Sequence, residues 1–457
     1  MAATSEKGDA ATKLTRGAMI AWGLGTLGPV TVLTATNALL LRFLTDVYGL
    51  SAAIAASIFA LSKFYDAFAD IAMGIVSDRT QTRWGRRRPY LLLGALLLAI
   101  CVVAIFAPPA FVSIQARVIY ITIILFLYAT AYTVFNVPYM AMPGEMTRAY
   151  HERSELMRWR VYAIGLAIII ATAIGPKLLD WFGGGPTAYA RMAFCFTPVV
   201  LLAGIIAFFG TARAPSTRHT ASHYGLVDQI RSAAGNRPFV VLIGVKLVTL
   251  MALGIQSVFP YFFQRILGMP NSVLGSYFFC QSAMYLIAPS LWLRCAKRLG
   301  KKRTFMLALG LSVPVYASWS LAVHNEPLIL VYGRGALLGI CGSGIILMGQ
   351  SMLPDTMEHD FIRTGLRREG IFAALYTTVE KLSGALGVAV VGALLAANGY
   401  VQSRGLNVNQ PDSALWAIRL SMAWVPAAIS ACGMALLVFY HLDESQLVDH
   451  GAIESDT

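Results

Sequence analysis

Two aspartates and one lysine lie on the same face of a helix that is otherwise apolar. The helix is predicted over residues 51–76, and Asp66 and Asp70 follow Lys63 at offsets of three and seven residues, which bring the three side chains to one face. A carboxylate inside an apolar span costs about 3 kcal/mol or more to insert, so it normally faces a bundle interior or a wet cavity. Two such carboxylates on one face predict a cation site.

A simpler interpretation of these three residues needs no ion. Asp66 then only neutralises Lys63, and Asp70 lies near the lipid headgroups. Asp70, however, lies about two turns inside the predicted end of the helix, which is deeper than headgroup contact requires. The cation site is therefore the favoured interpretation.

The composition is that of an integral membrane protein. Of 457 residues, 57% are hydrophobic and 13% are charged, about half the charged fraction of soluble domains, and the mean hydropathy is +0.64. The formal net charge of +13 does not indicate a nucleic-acid partner, because the basic residues lie in short loops between apolar spans, where the positive-inside rule explains them. The six cysteines are scattered, without disulfide or metal-ligand spacing.

Apolar runs of about twenty residues predict twelve membrane-spanning helices. The predicted bounds are 17–44, 51–76, 89–107, 116–138, 156–176, 190–210, 237–262, 272–294, 303–322, 327–350, 371–396 and 414–440. Two loops that follow even-numbered spans are strongly basic, with Arg79, Arg83, Arg86, Arg87 and Arg88 in one and Arg294, Lys297, Arg298, Lys301, Lys302 and Arg303 in the other. Basic loops stay on the cytoplasmic side, so we expect both termini in the cytoplasm.

The predicted spans divide into two sets of six. We expect an N-terminal half with the cation site (1–210), a central cytoplasmic loop (211–236), a C-terminal half (237–441) and a disordered cytoplasmic tail (442–457). A short echo supports duplication, because Gly85-Arg-Arg-Arg-Pro-Tyr and Gly300-Lys-Lys-Arg-Thr-Phe each follow an even-numbered span. Two repeated halves that hold a solute between them are a known plan of secondary transporters.

Four stretches of the sequence carry a family resemblance. They are Asp66-Ala-Phe-Ala-Asp70 with Gly74-Ile-Val-Ser-Asp78-Arg79, Asn136-Val-Pro-Tyr139 with Glu152-Arg-Ser-Glu-Leu, Asp355-Thr-Met-Glu-His-Asp360 with Thr364-Gly-Leu-Arg-Arg-Glu-Gly370, and Lys381-Leu-Ser-Gly-Ala-Leu-Gly with Asn398-Gly-Tyr400. With them the chain resembles the glycoside–pentoside–hexuronide:cation symporters, the melibiose permease family of the major facilitator superfamily. The resemblance implies an all-α integral membrane protein with twelve transmembrane helices in two six-helix halves.

The resemblance also implies a role for individual positions. Asp66 and Asp70 match the family's pair of cation-binding carboxylates, with Thr133 as a hydroxyl near the same ion. Lys381 matches a lysine beside the cation and sugar sites, and Lys63 matches a basic residue before the carboxylates; both are assigned to coupling. The candidate substrate-binding residues are Asn136, Arg160, Lys381, Asn37 and Tyr139, and the candidate gating residues are Asp78, Arg79, Arg83, Asp355, Asp360 and Arg367.

Two polar residues of the spans keep two interpretations each, and a third is ranked below its neighbour. Asn37 either lines a cavity or forms a hydrogen bond to a neighbouring helix. Lys246, in the seventh predicted span, either has a functional role or simply snorkels or pairs with a nearby acid. Glu380 adjoins Lys381 but points about 100° away around the helix, so it is the weaker candidate of the two.

Departures from the family pattern bear on the solute and the ion. Where the family of melibiose permease has sugar-binding aspartates on helices one and four, this chain has Pro29 or Val30 and Asn136, which argues against α-galactosides. The family's asparagine before the second cation aspartate is Ala69 here, so one oxygen ligand is absent. A proton needs only a titratable carboxylate, whereas Na⁺ needs several oxygens. The sequence therefore favours H⁺ over Na⁺ as the coupling ion.

These inferences predict a secondary active transporter that carries a sugar, glycoside or uronide together with H⁺ or Na⁺ by alternating access. Two alternatives keep the fold, namely a carrier of lysolipids or other amphipathic solutes and a drug exporter. An enzyme is not expected, because no nucleophile, acid–base set or metal motif is apparent. We expect no cofactor, a monomer surrounded by membrane lipids, and a location in the cell membrane, with the bacterial inner membrane favoured.

Overall fold

The chain folds into a bundle of long α-helices. The computed structural model describes residues 14–50, 52–147, 149–214, 231, 233–366, 368–400 and 410–442. Within these ranges it contains helices and no strand, which confirms the predicted all-α class. Several sequence predictions lie outside the described residues, namely those for Arg367, the side chain of Lys63, most of the central loop and the C-terminal tail.

The helices have the following bounds. In chain order they are α1 (Arg16–Leu24), α2 (Leu27–Arg42), α3 (Ala52–Arg79), α4 (Arg88–Phe106), α5 (Ile114–Met146), α6 (Tyr150–Ile169), α7 (Gly175–Trp181), α8 (Gly185–Gly210), α9 (Arg237–Ile255), α10 (Phe259–Arg265), α11 (Asn271–Ile287), α12 (Pro289–Leu299), α13 (Lys301–Ala317), α14 (Leu328–Thr364), α15 (Glu369–Ala397), α16 (Asp412–Met422) and α17 (Trp424–Val438). Short π-helical turns, Phe43–Val47 and Ile170–Ile174, continue α2 and α6.

Ten helical segments of the described chain are long and apolar enough to cross a membrane. α3 is not among them, and its Lys63, Asp66 and Asp70 lower its hydropathy. α11 counts only as a shorter apolar helix. The predicted number of twelve spans is not confirmed by this count and stays a prediction.

Two helices are much longer than their predicted spans. α5 has 33 residues and α14 has 37, about 50 and 55 Å at 1.5 Å per residue, against a hydrocarbon layer of about 30 Å. The sequence prediction ended them at residues 138 and 350, where the apolar runs end. Both helices continue because the polar side chains beyond those points are largely buried and form ion pairs with neighbouring segments.

Two glycines turn the chain in the same way at one end of the bundle. Gly85 has a φ of +93° and Gly300 a φ of +82°, a left-handed conformation that favours glycine. Each stands shortly before a helix, α4 or α13. The echo in the sequence around these two residues is therefore also an echo in backbone conformation. We call the end of the bundle that carries these two turns the basic end.

Close packing at the basic end joins α3 to α15. At Gly74 and Gly370 the two backbones approach so closely that an added Cβ would lie 2.7 and 2.4 Å from the opposite carbonyl oxygen, a contact that only glycine allows. α3 also packs on α5, and α6 packs on α11 and α14. Farther along α3 and α15, this arrangement brings Asp66, Asp70 and Lys381 together.

Candidate cation and solute site

A buried cluster of two carboxylates and one ammonium group lies where α3, α5 and α15 meet. Lys381 Nζ lies 2.7 Å from Asp66 Oδ1 and 2.9 and 2.8 Å from Asp70 Oδ1 and Oδ2. Asp70 is fully buried and Asp66 is 4% exposed. Carboxylates in such a place need a countercharge. Lys381 supplies it from α15, on the other side of the contact with α3.

Two threonine hydroxyls complete the oxygen set of this cluster. Thr133 Oγ1 lies 2.6 Å from Asp70 Oδ1 and 3.1 Å from Asp66 Oδ1, and Thr377 Oγ1 lies 3.1 Å from Asp70 Oδ2. Carboxylate and hydroxyl oxygens are the ligands that hard cations prefer. Sequence reasoning misses Thr377, although its place one turn before Lys381 on α15 was a usable signal.

A cavity of about 470 Å³ lies beside the cluster, within the range of about 300–1,000 Å³ that is usual for small-molecule sites. Asp66 and Lys381 form part of its wall, together with Asn37 and Asn136. Tyr132 adds an aromatic ring. Amide groups and aromatic faces of this kind can bind the hydroxyls and the ring of a sugar. The structure thus favours the cavity interpretation of Asn37.

A second cavity of about 180 Å³ adjoins the first, because Tyr132, Asn136 and Glu380 line both. Arg160 and Lys246 line only the second cavity. The predicted substrate residues Asn136 and Arg160 therefore both belong to the continuous lining of these two cavities. Glu380, which the sequence ranked below Lys381, also belongs to it, because the cavities extend around more than one face of α15.

An ion pair crosses the second cavity between α9 and α15. Lys246 Nζ donates a hydrogen bond to Glu380 Oε2 at 2.8 Å and lies 3.0 Å from the centre of the Tyr376 ring. Lys246 is 6% exposed. Pairing with a nearby acid, one of the interpretations that the sequence left open for Lys246, is what the structure shows.

Tyr139 is the predicted substrate residue that the structure does not bring to the two cavities. Its ring stacks on Trp22 at a centroid distance of 4.6 Å. Its hydroxyl donates to the Trp22 carbonyl oxygen at 2.6 Å and accepts from Thr26 at 2.8 Å. These contacts fix α1 against α5. The Arg160 guanidinium carbon lies 6.0 Å from the centre of the same ring, and the substrate role of Tyr139 stays a prediction.

A network of charges at the basic end centres on Arg87. Its guanidinium donates to Ser77, to Asp78 and, at 2.7 Å, to Glu145. Asp78 Oδ1 in turn accepts from the backbone N–H of Gly370 at 3.0 Å. The predicted gating residue Asp78 thus joins α3 to the start of α15, and Arg87 holds it in position.

Arg86 and Arg153 extend this network to the C-terminal part of the chain. Arg86 Nη2 lies 2.6 Å from Glu145 and 3.1 Å from Glu369. Arg153, which is fully buried, pairs with Asp355 at 3.0 Å and with Glu358 at 3.2 Å. Lys301 reaches the second Asp355 oxygen at 2.6 Å. Three of these pairs, Arg86–Glu369, Arg153–Asp355 and Arg153–Glu358, join the two parts of the chain at the basic end. Of the residues in this extension, the sequence prediction names only Asp355 as a gating residue.

The remaining predicted gating residues differ in their surroundings. Asp360 pairs with Arg368 at 2.6 Å, within the C-terminal part alone. Arg79 and Arg83 are exposed, and the Arg83 guanidinium lies 4.6 Å from the Trp84 ring centre. Sequence reasoning does not name Arg153 as a gating residue, although it lies in the quoted motif, because its partners Asp355 and Glu358 lie about 200 residues away in the part of α14 beyond the apolar run.

Replacing Arg153 by glutamine is expected to open the basic end. The change removes the buried cation that joins α6 to Asp355 and Glu358, and breaking a buried ion pair costs about 3–5 kcal/mol. The reporter is a cysteine at Met73, a buried residue of α3, in a chain whose six native cysteines are serines. We expect its alkylation rate to rise by at least about 10-fold. Arg298→Gln, an exposed change at the same end, serves as the control, and equal rates in the two variants would remove Arg153 from the gate.

Comparison with known proteins identifies the family of this chain. A family model described as "MFS/sugar transport protein" matches residues 21–444. The chain is 28% identical to the isoprimeverose transporter of Lactiplantibacillus pentosus over 89% of this chain and 84% of that protein. It is 28% identical to an uncharacterized symporter of Synechocystis over 94% and 95%, and 27% identical to a glucuronide carrier protein homolog of Escherichia coli over 89% and 88%.

A solved structure supports the same fold. The crystal structure of a bacterial homologue of the iron transporter ferroportin matches with a TM-score of 0.69 at 12% identity, over 93% of this chain and 99% of that one. At this identity the likeness concerns the fold alone. The family match over almost the whole length shows that the chain belongs to the MFS/sugar transport family of multi-pass membrane transporters.

Proposed function

We propose that this protein is a symporter that moves a sugar, glycoside or uronide together with H⁺ or Na⁺ by alternating access. The observation that carries the proposal is the bridge from Lys381 to Asp66 and Asp70. The bridge joins the two parts of the chain at the wall of a cavity of small-molecule size. Its carboxylates are ligands for a cation, which can replace the Lys381 ammonium group between them.

Lys381 occupies the position that we assign to the coupling ion. An incoming Na⁺ takes its place among the oxygens, whereas an incoming proton neutralises one carboxylate and weakens the same bridge. Either event frees Lys381 to contact a solute in the cavity that it lines. Cation and solute then favour the same state, which is the thermodynamic requirement for coupling.

The oxygen set bears on which ion is used. The sequence favours H⁺ because Ala69 removes one ligand from the family pattern. Thr377 Oγ1, at 3.1 Å from Asp70, adds an oxygen on the opposite side of the same carboxylate. The cluster therefore supports Na⁺ as well as H⁺, and the transport experiment below separates the two.

The basic end is assigned to the cytoplasm, because loops rich in arginine and lysine stay on that side. The pairs Arg86–Glu369 and Arg153–Asp355 then form a closed cytoplasmic gate. Rocking of one half against the other breaks these pairs and opens the cavities to the cytoplasm. The names of relatives, an isoprimeverose transporter and a glucuronide carrier homolog, support a sugar-based solute.

Purified protein in sealed liposomes with an internal pH dye tests the proposal. Glycosides, pentoses, uronides and lysolipids are added with and without a Na⁺ gradient. Internal acidification that depends on a sugar-based solute and needs no Na⁺ identifies H⁺ symport, and solute uptake only with Na⁺ identifies Na⁺ symport. A response to lysolipids alone moves the function to an amphipathic carrier, and no cation-coupled movement with any solute contradicts the proposal.

A further inference from the structure

Arg160 is a buried cation whose hydrogen-bond donors are incompletely used. It lies on α6, is 5% exposed, and lines the second cavity. Its Nε and Nη1 atoms are buried and have no hydrogen-bond partner among the described residues. A guanidinium is always charged and presents several donors in a planar fork that matches a carboxylate or a sulfonate. Leaving such donors unpaired in a buried place is costly, so a ligand is expected to complete them.

The second cation of this cavity, Lys246, is paired with a carboxylate of the protein itself. Lys246 pairs with Glu380 at 2.8 Å, and the side chain of Glu380 is 43% exposed while that of Lys246 is 6% exposed. The carboxylate therefore reaches Lys246 from the open part of the lining. An ammonium group donates three hydrogen bonds. Lys246 can therefore bind a second anion beside Glu380 or exchange Glu380 for that anion.

Charge balance distinguishes an anionic solute from a neutral one. The described charged side chains of the two cavities and the carboxylate cluster are three cations and three carboxylates: Arg160, Lys246, Lys381, Asp66, Asp70 and Glu380. With all six ionised, the charges of these described side chains sum to zero. Binding of one monovalent cation leaves a single positive charge inside the bundle, where an unbalanced charge is costly. A monoanionic solute restores neutrality, and a neutral sugar does not.

We propose that the second cavity binds an anionic group of the transported solute, a carboxylate or a sulfonate, between Arg160 and Lys246, and that Glu380 is the internal anion that the solute group displaces. The proposal rests on the symport function proposed above and narrows its solute to acidic sugars and related hydroxy acids. Asn136 lines both cavities, so a sugar ring in the first cavity places a charged substituent in the second. Gln350 Oε1, buried and without a partner among the described residues, also lines the second cavity and can accept a solute hydroxyl.

Calorimetric binding to the purified full-length protein tests this assignment with matched probes. Methyl β-D-glucuronide and methyl β-D-glucoside have the same ring and differ in a carboxylate against a hydroxymethyl group. The corresponding 6-sulfonate is the third probe. We expect both anionic probes to bind at least about 30-fold more tightly than the neutral one, the effect of a buried charge pair of roughly 2 kcal/mol. Equal or tighter binding of the neutral glucoside overturns the proposal.

Substitutions assign the preference to named side chains. Arg160→Gln and Lys246→Gln are each expected to lower the preference for the anion, measured as the ratio of the dissociation constants of the neutral and the anionic probe, by about 10-fold or more. Glu380→Gln is expected to raise the affinity for the anion by about 3- to 10-fold, because the competing carboxylate is gone. Arg334→Gln is the matched control, since Arg334 forms an ion pair with Glu326 outside both cavities. An unchanged preference in the Arg160 and Lys246 variants contradicts the proposal.

The binding test separates this proposal from the transport proposal. The thermal unfolding temperature shows whether a variant is folded, and the comparison of probes on the unaltered protein needs no variant. If neutral glycosides drive cation movement in liposomes and acidic ones do not, only the anion proposal fails. If no solute drives cation movement, the symport proposal fails as well.

Discussion

Asp70→Asn is expected to abolish uphill uptake of the solute while the protein still inserts in the membrane. Asp70 contacts Lys381 through both carboxylate oxygens and lies within hydrogen-bond distance of Thr133 and Thr377. Asparagine keeps the shape but removes the charge and turns amide hydrogens toward the Lys381 ammonium group. The site then neither holds a cation nor balances Lys381. We expect accumulation against a gradient to fall by about 100-fold, near the upper range of known coupling energies.

Two further variants serve as references for this result. Asp66→Asn is expected to have a smaller effect, about 10-fold, because Asp66 makes one contact with Lys381 and one with Thr133. Asp412→Asn, an exposed change at the start of α16, is expected to leave uptake unchanged. Uptake is measured with radiolabelled solute in liposomes. Wild-type accumulation by both Asp66→Asn and Asp70→Asn would contradict the cation-site assignment.

Lys381→Ala is expected to uncouple transport in a different way. Removal of the ammonium group leaves the carboxylates of Asp66 and Asp70 without the countercharge that the structure shows, at a cost of about 3–5 kcal/mol for an uncompensated buried charge. These carboxylates then keep a proton or Na⁺ permanently. We expect net uphill uptake to fall by about 100-fold, whereas exchange of internal for external solute, which needs no emptied cation site, continues.

The comparison of net uptake with exchange is therefore the informative measurement for Lys381. Lys302→Ala is the control, because Lys302 contacts only a backbone carbonyl, that of Val438, among its described partners. Loss of exchange and net uptake together in Lys381→Ala would assign the residue to solute binding alone. Wild-type net uptake would remove it from the site.

The sequence predicts the members of the buried charge cluster, because unfavourable residues are conspicuous in an apolar helix; their role as a cation site stays a prediction. Asp66 and Asp70 stand out for this reason, and family resemblance adds Thr133 and Lys381 as their neighbours. The structure brings all four together. What the sequence does not give is the distance between α3 and α15, which depends on the glycine contact at the basic end.

The less predictable residues are those whose partners lie far away in the chain. Arg153 and Asp355 lie on different helices of the two parts of the chain, and no periodicity within one helix indicates that they meet. The sequence prediction ends α5 and α14 too early for the same reason. The apolar runs stop there, but the helices continue because their buried polar side chains form ion pairs with distant segments. Tyr139 belongs to a recognisable motif, yet its ring and hydroxyl contact Trp22 and not the two cavities, which the motif alone does not indicate.

Thermodynamic linkage between cation and solute tests the central claim most directly. The measurement is the dissociation constant of the solute by calorimetry at low and at saturating cation, varied as Na⁺ and as pH, for the unaltered protein and for Asp70→Asn. Binding at coupled sites is reciprocal, so we predict that the cation tightens solute binding by at least about 10-fold in the unaltered protein and has no effect in the variant. The same cation effect in both proteins, or none in either, would contradict the account.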